Sequence, residues 1–209
     1  MFGTNKTTDV VSIEAERLQA YARAEHAGRS VSPYDGPVYY QELEAIPLQG
    51  LRVLEFGCGA GVDSLYFAEQ GAFIVACDVV PSNVAVTQKV LAQYPETARV
   101  LLMSDYEKLA ELGRFDLVYS HGCLHHISPG AVAEVAALLV SCLGAGGRLL
   151  VMLYTKTFYP SVNYHQVREG PYTQGYDEAE LTRLFGPSVR LQSYRVLCNG
   201  CFSWALLQK

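Results

Sequence analysis

From Leu51 onward the chain predicts an α/β fold, a doubly wound, mostly parallel seven-stranded sheet that ends in an antiparallel hairpin. Three observations predict it. Short aliphatic runs alternate with helical patterns in the rhythm of successive βαβ units. Those runs are apolar almost throughout, as in strands covered on both faces. The last two runs flank Asn199-Gly200, a dipeptide that tolerates positive φ at both positions and so marks a hairpin turn.

Taken in order, residues 12–27 read as a helix with Ser12 as a candidate N-cap, and 38–46 as a second, short helix. Between them Pro33, Gly36 and Pro37 make a loop. Strands are expected at 51–56, 72–77, 98–103, 115–120 and 147–153, with helices at 62–70, 82–93 and 129–143. The last of these has Ser128 to cap it, Pro129 at its first position and Gly144 to stop it. A helix near 177–185 then leads into the hairpin. At 209 residues the chain buries one substantial core, so a single domain spanning 1–209 is expected.

Composition excludes several classes of function. The formal charge is -5, and no Lys/Arg stripe interrupts the acidic balance, so nucleic acid is not an expected partner. The apolar stretch between Glu134 and Arg148 is too short to span a bilayer, and the N-terminus has no apolar signal region; no membrane association and a cytoplasmic location are expected. Cys58, Cys77, Cys123 and Cys142 lie in or beside apolar runs and read as buried thiols. Cys198 and Cys201 form a C-x-x-C with no second pair at zinc spacing, which fits two residues flanking a turn.

The densest chemical signal is Val53-Leu54-Glu55-Phe56-Gly57-Cys58-Gly59-Ala60-Gly61, a strand running into a glycine loop and then a helix. Such glycines permit a sharp turn and close approach of a ligand, and the helix N-terminus favours an anionic group. Asp78 ends the next strand, where a carboxylate can accept hydrogen bonds from both ribose hydroxyls. The G-x-G-x-G spacing, with an acid two residues before the first glycine, differs from the G-x-G-x-x-G of dinucleotide enzymes.

With Glu55-Phe56-Gly57-Cys58-Gly59-Ala60-Gly61, Asp78, Ser104-Asp105-Tyr106 and the run Phe115 to Ile127 containing Leu124-His125-His126, residues 51 to about 153 resemble the class I S-adenosylmethionine-dependent methyltransferases. The resemblance is to their small-molecule, type 11/12-like branch. It implies a Rossmann-like fold with a terminal antiparallel strand, and S-adenosylmethionine as cofactor with S-adenosylhomocysteine as product. It implies that Glu55 and the backbone of Gly57, Cys58, Gly59 and Gly61 hold the amino-acid end of the cofactor. Asp78 would bind the ribose, Val79 would lie beside the adenine, and Asp105 would meet the adenine amino group with Tyr106 flanking the ring. Backbone near Ser120 and His121 would approach the methionine moiety. The domain then divides into an N-terminal helical cap (1–48), a cofactor-binding core (51–153), a substrate-lid insertion (154–176) and a C-terminal helix with the hairpin (177–209).

Methyl transfer needs chiefly that donor and acceptor be held in line, but a hydroxyl or protonated amine must also lose a proton. Histidine suits that exchange near neutrality. Three of the five histidines, His121, His125 and His126, follow the fourth strand, at the sheet edge where ligands bind in this architecture. His125 is the first candidate base, by resemblance to phosphoethanolamine-type methyltransferases in which an N-terminal tyrosine assists. His121 is the second, and His126 is expected to pack under the following helix. Nine of the fourteen tyrosines fall in 21–40 and 154–176. Tyr34, Tyr39 and Tyr40 are the candidates for that assisting tyrosine, and Tyr34, Tyr39, Tyr154, Tyr164, His165 and Arg168 are candidates to line a roofed acceptor pocket. A small organic acceptor and a metal-free reaction are expected, with a peptide terminus as the alternative acceptor. A catalytically silent cofactor-binding module and an NAD-dependent oxidoreductase are the alternative functions.

Overall fold

In the computed structural model, residues 41–103, 106–161 and 173–209 are described here. The seven strands are β1 (Arg52–Phe56), β2 (Phe73–Asp78), β3 (Ala98–Leu102), β4 (Phe115–His121), β5 (Leu143–Tyr154), β6 (Arg190–Leu197) and β7 (Phe202–Gln208). They form one sheet in the order β3-β2-β1-β4-β5-β7-β6, in which only β7 runs antiparallel to its neighbours β5 and β6. The order reverses between β1 and β4, and the carboxyl ends of these two strands therefore open a crevice.

Helices α1 (Gln41–Glu44), α2 (Val62–Glu69), α3 (Pro81–Val90), α4 (Val132–Ser141) and α5 (Glu178–Phe185) connect the strands. Because side chains alternate along a strand, the sheet builds a core on each face. Leu54, Val118, Leu149, Val151 and Leu207 pack under α4 and α5, with Leu139 and Leu181 from the helices. Val53, Ile74, Tyr119, Leu150, Met152 and Trp204 pack on the other face under Phe67 of α2 and Leu43, Ile46 and Leu48.

Among the boundaries that differ from the sequence expectation, three lie at turns. Helix α4 begins at Val132 and not at Pro129, because Pro129-Gly130 forms a turn in which the Ser128 carbonyl accepts the amides of Ala131 and Val132, and the N-cap position falls to Ala131. Gly144 does not stop the helix but lies inside β5, which starts at Leu143 and bulges before Arg148 rejoins the register opposite Leu117. The hairpin closes Leu197 onto Phe202 through four residues instead of two, although Asn199 (φ 54°) and Gly200 (φ 96°) both take the positive φ expected of them. The expected helix at 12–27 lies outside the described residues. Cys58, Cys77 and Cys142 are buried, while Cys123 is half-buried. No helix among the described residues is long and apolar enough to cross a membrane.

Candidate active site

The glycine loop leaves β1 at Phe56 and folds back on itself before α2. The amides of Gly57 and Cys58 both donate to the Cys77 carbonyl, which ties the loop to the end of β2. Gly57 has φ 83°, and a Cβ there would lie 2.5 Å from the Cys123 sulfur, so any side chain would push apart the β1 and β4 ends of the crevice. Gly59 (φ 54°) differs: a Cβ there would meet nothing within 4 Å. Its backbone borders open space.

Asp78 organises the floor of that space. Its carboxylate accepts the Gly59 amide at 2.9 Å, the Val80 amide at 2.8 Å and the Asn83 side-chain amide at 3.1 Å. Burial raises its pKa, and the three donors counter part of that effect. Cys58 packs its thiol 3.6 Å from the Thr87 hydroxyl, and Thr87 donates to the Gly59 carbonyl at 3.0 Å. Val79 is half-buried beside the loop. Tyr106 is buried and packs its ring 5.8 Å from that of Phe56. Asp105, expected at the adenine amino group, lies outside the described residues.

Glu55 is 2% exposed and accepts a hydrogen bond from the Ser64 hydroxyl. Burial first, and the neighbouring Asp63 second, push its pKa well above the usual carboxylate range. Glu55, Asp63 and Asp78 thus bring three buried acids to one loop. The arrangement suits a ligand that carries positive charge at one end and hydroxyls at the other, which are the ammonium, sulfonium and ribose of S-adenosylmethionine. The open flank at Gly59 lies between them.

The three histidines differ in burial and in partners. His125 is 1% exposed, and burial drives its pKa well below the usual imidazole value. Its Nδ1 accepts the Tyr154 amide at 3.3 Å, so the neutral ring carries its proton on Nε2. Its ring centroid is 4.1 Å from that of Tyr154 and 4.2 Å from that of His126. His126, expected to be the packed member of the pair, is half-buried, with Nδ1 3.5 Å from the Thr173 hydroxyl. His121 ends β4 at the mouth of the crevice, with its Nδ1 2.9 Å from the Asp63 carboxylate. Ser120, the residue before it, faces the opposite side of the sheet and donates to the Phe56 carbonyl at 3.0 Å.

Asp63 was not anticipated. It stands in the first turn of α2, where an acid reads as a favourable helix start and nothing in the sequence announces its partner, 58 residues away. Beyond β5, Tyr154 joins an aromatic stack with Phe202 (4.9 Å) and Tyr159 (4.7 Å), while Gly175 and Tyr176 return hydrogen bonds to Tyr159 and Tyr154. The ends of the 154–176 segment are therefore stapled to the sheet edge. Tyr34, Tyr39, Tyr40, Tyr164, His165 and Arg168 lie outside the described residues.

Comparison with known proteins is consistent with this geometry. Residues 53–147 match a family model described as a methyltransferase domain. The chain is 32% identical over 114 residues to a ubiquinone biosynthesis O-methyltransferase of Xylella fastidiosa, a match covering 54% of this chain and 45% of the relative. It spans about half the length of the curated relatives it matches. Among solved structures, it resembles the 1,6-didemethyltoxoflavin-N1-methyltransferase of Burkholderia thailandensis, solved with 1,6-didemethyltoxoflavin and S-adenosylhomocysteine bound. The TM-score there is 0.72 at 21% identity over 100% of this chain and 91% of the other. It also resembles the magnesium protoporphyrin IX methyltransferase of Synechocystis PCC 6803, solved with bound S-adenosylmethionine, with a TM-score of 0.69 at 19% identity over 99% of this chain and 100% of the other. Residues 53–147 thus match a methyltransferase domain, and the chain shares its fold, strand order included, with methyltransferases of known structure.

Proposed function

We propose that the chain is an S-adenosylmethionine-dependent methyltransferase acting on an oxygen or nitrogen of a small organic metabolite. The observation that carries this reading is the junction of Gly59 with Asp78: a backbone edge open to a ligand, tied by its amide to a buried carboxylate at the end of β2, one strand from the sheet's topological switch point. When bound, the cofactor supplies a methyl group already activated on a positively charged sulfur. Glu55 and the loop from Gly57 to Gly61 take its amino-acid end, Asp78 its ribose, and Val79, Asp105 and Tyr106 the neighbourhood of its adenine.

What remains for the protein is to orient the acceptor, exclude water and take up a proton. His121 is the group best placed to receive that proton, ahead of His125, whose Nδ1 is engaged by the Tyr154 amide. The acceptor is assigned to the tyrosine-rich sequence segments 21–40 and 154–176, with Tyr34, Tyr39, Tyr154, Tyr164, His165 and Arg168 as the candidate contacts. A pocket of that composition favours an aromatic or cationic acceptor.

The test is transfer of labelled methyl from S-adenosylmethionine to a panel of phenols, hydroxy acids, heterocyclic amines and a short peptide. At least one small acceptor is expected to be methylated, with S-adenosylhomocysteine formed in equal amount. Methylation of the peptide alone would overturn the metabolite assignment, and no transfer despite tight cofactor binding would leave a silent binding module.

A further inference from the structure

We infer that Asp63 is the positioning residue of a carboxylate–imidazole pair that makes Nε2 of His121 the proton-accepting atom of the site. The pair itself rests on geometry alone; only the identity of the proton donor rests on the methyltransferase reading above.

Strand β4 presents Tyr119 and His121 to the same face of the sheet, two residues apart, opposite Leu150 and Met152 of β5. From the first turn of α2, Asp63 meets both: Oδ2 lies 2.8 Å from the Tyr119 hydroxyl and 2.9 Å from Nδ1 of His121. An ionised carboxylate only accepts hydrogen bonds, so both neighbours donate to it. A neutral imidazole has one N–H. With that proton committed to Asp63 through Nδ1, the ring's lone pair lies on Nε2.

The ring's orientation is also constrained. Its centroid is 5.4 Å from that of Trp204 and 6.3 Å from that of Tyr119, while the side chain keeps 27% of its surface exposed at the carboxyl edge of the sheet. Asp63 itself is buried, and the ion pair it forms once His121 gains a proton is poorly screened. His125 has the complementary arrangement, with Nδ1 accepting a backbone amide and the proton on Nε2. Of these two histidines, His121 therefore has the tautomer of a base.

The chemistry balances simply. As the acceptor's O–H or N–H bond breaks, its proton passes to Nε2 and its electron pair stays on the acceptor atom as the nucleophile. His121 becomes an imidazolium facing the Asp63 carboxylate. Tyr119 holds that carboxylate in place through its hydroxyl and touches neither the proton nor the acceptor.

The test reads the tautomer directly. Long-range proton–nitrogen NMR of histidine-labelled protein, recorded at pH 8 with S-adenosylhomocysteine present, should show His121 as the Nδ1–H form, the assignment being made by loss of its signals in His121→Gln. In Asp63→Asn the amide donates to Nδ1 and the proton should move to Nε2, as when the orienting carboxylate of a serine protease triad is made an amide. An Nε2–H form in the wild type, or the same tautomer in both proteins, would overturn the inference. The wild-type spectrum decides the matter even if Asp63→Asn fails to fold. With any phenol methylated by the wild type, Asp63→Asn should lower kcat by about 10²-fold or more. The double variant with His121→Gln should be no slower than His121→Gln alone, and additive losses would contradict a shared role. If the wild type methylates no acceptor, the functional reading fails, while the tautomer still tests the pair.

Discussion

At the scale of single residues, the site is a problem in burying negative charge. Glu55 has no cationic side chain among its described contacts, so desolvation and Asp63 act together to hold its proton. Its folded pKa lies above the unfolded value, which means that the folded chain binds the proton more tightly. The resulting contribution to stability is full below the ordinary carboxylate range and is lost as pH rises through the raised value. Replacing Glu55 with Gln keeps the size and a partner for Ser64 but removes the titration. Thermal unfolding followed from pH 5 to 9 should then show Glu55→Gln losing less stability than the wild type toward high pH, together with weaker S-adenosylhomocysteine binding. Parallel pH profiles for the two proteins would mean that Glu55 is ionised in both folded and unfolded states.

Among the elements, strands were more legible than the boundaries between them. The apolar runs placed β1 to β5, and Asn199-Gly200 placed β6 and β7, which flank it. The start of α4 was misjudged because Pro129 suits a helix's first position, but Gly130 follows it and the chain completes a turn before the helix begins. The early start of β5 was hidden by Gly144, which read as a helix stop yet lies in a bulged strand; a Cβ on Gly147 would lie 3.0 Å from the Phe115 carbonyl. Of the candidate site, the glycine loop and Asp78 were legible from local pattern. Asp63 and the His121 tautomer were not, because both depend on α2 docking over the end of β4. Helix α5 supplies an element-scale prediction. Asp177 accepts the Glu180 amide at 2.8 Å while the Glu180 carboxylate accepts the Asp177 amide, so the capping box is complete. Asp177→Ala should cost roughly 1 kcal/mol by denaturant titration without changing cofactor affinity. A loss near zero would mean that the packing of Leu181 and Phe185 alone sets the helix start.

For the whole molecule, the sheet separates two tasks. Its β1–β2–β4 edge builds the loop and the buried acids within the stretch that matches the methyltransferase domain, while the insertion after β5 and the hairpin lie beyond residue 147. The relatives named above match about half of this chain or less. Cofactor recognition is thus the central claim on which the assignments of base and acceptor depend. Isothermal calorimetry tests it most directly, by comparing S-adenosylhomocysteine with NAD on the wild type and on Asp78→Ala. Saturable binding of S-adenosylhomocysteine is expected, with none of NAD, and a loss on the order of 1–3 kcal/mol in Asp78→Ala as a buried carboxylate and its ribose hydrogen bonds disappear. Tight NAD binding without S-adenosylhomocysteine binding, or an affinity unchanged in Asp78→Ala, would contradict that claim.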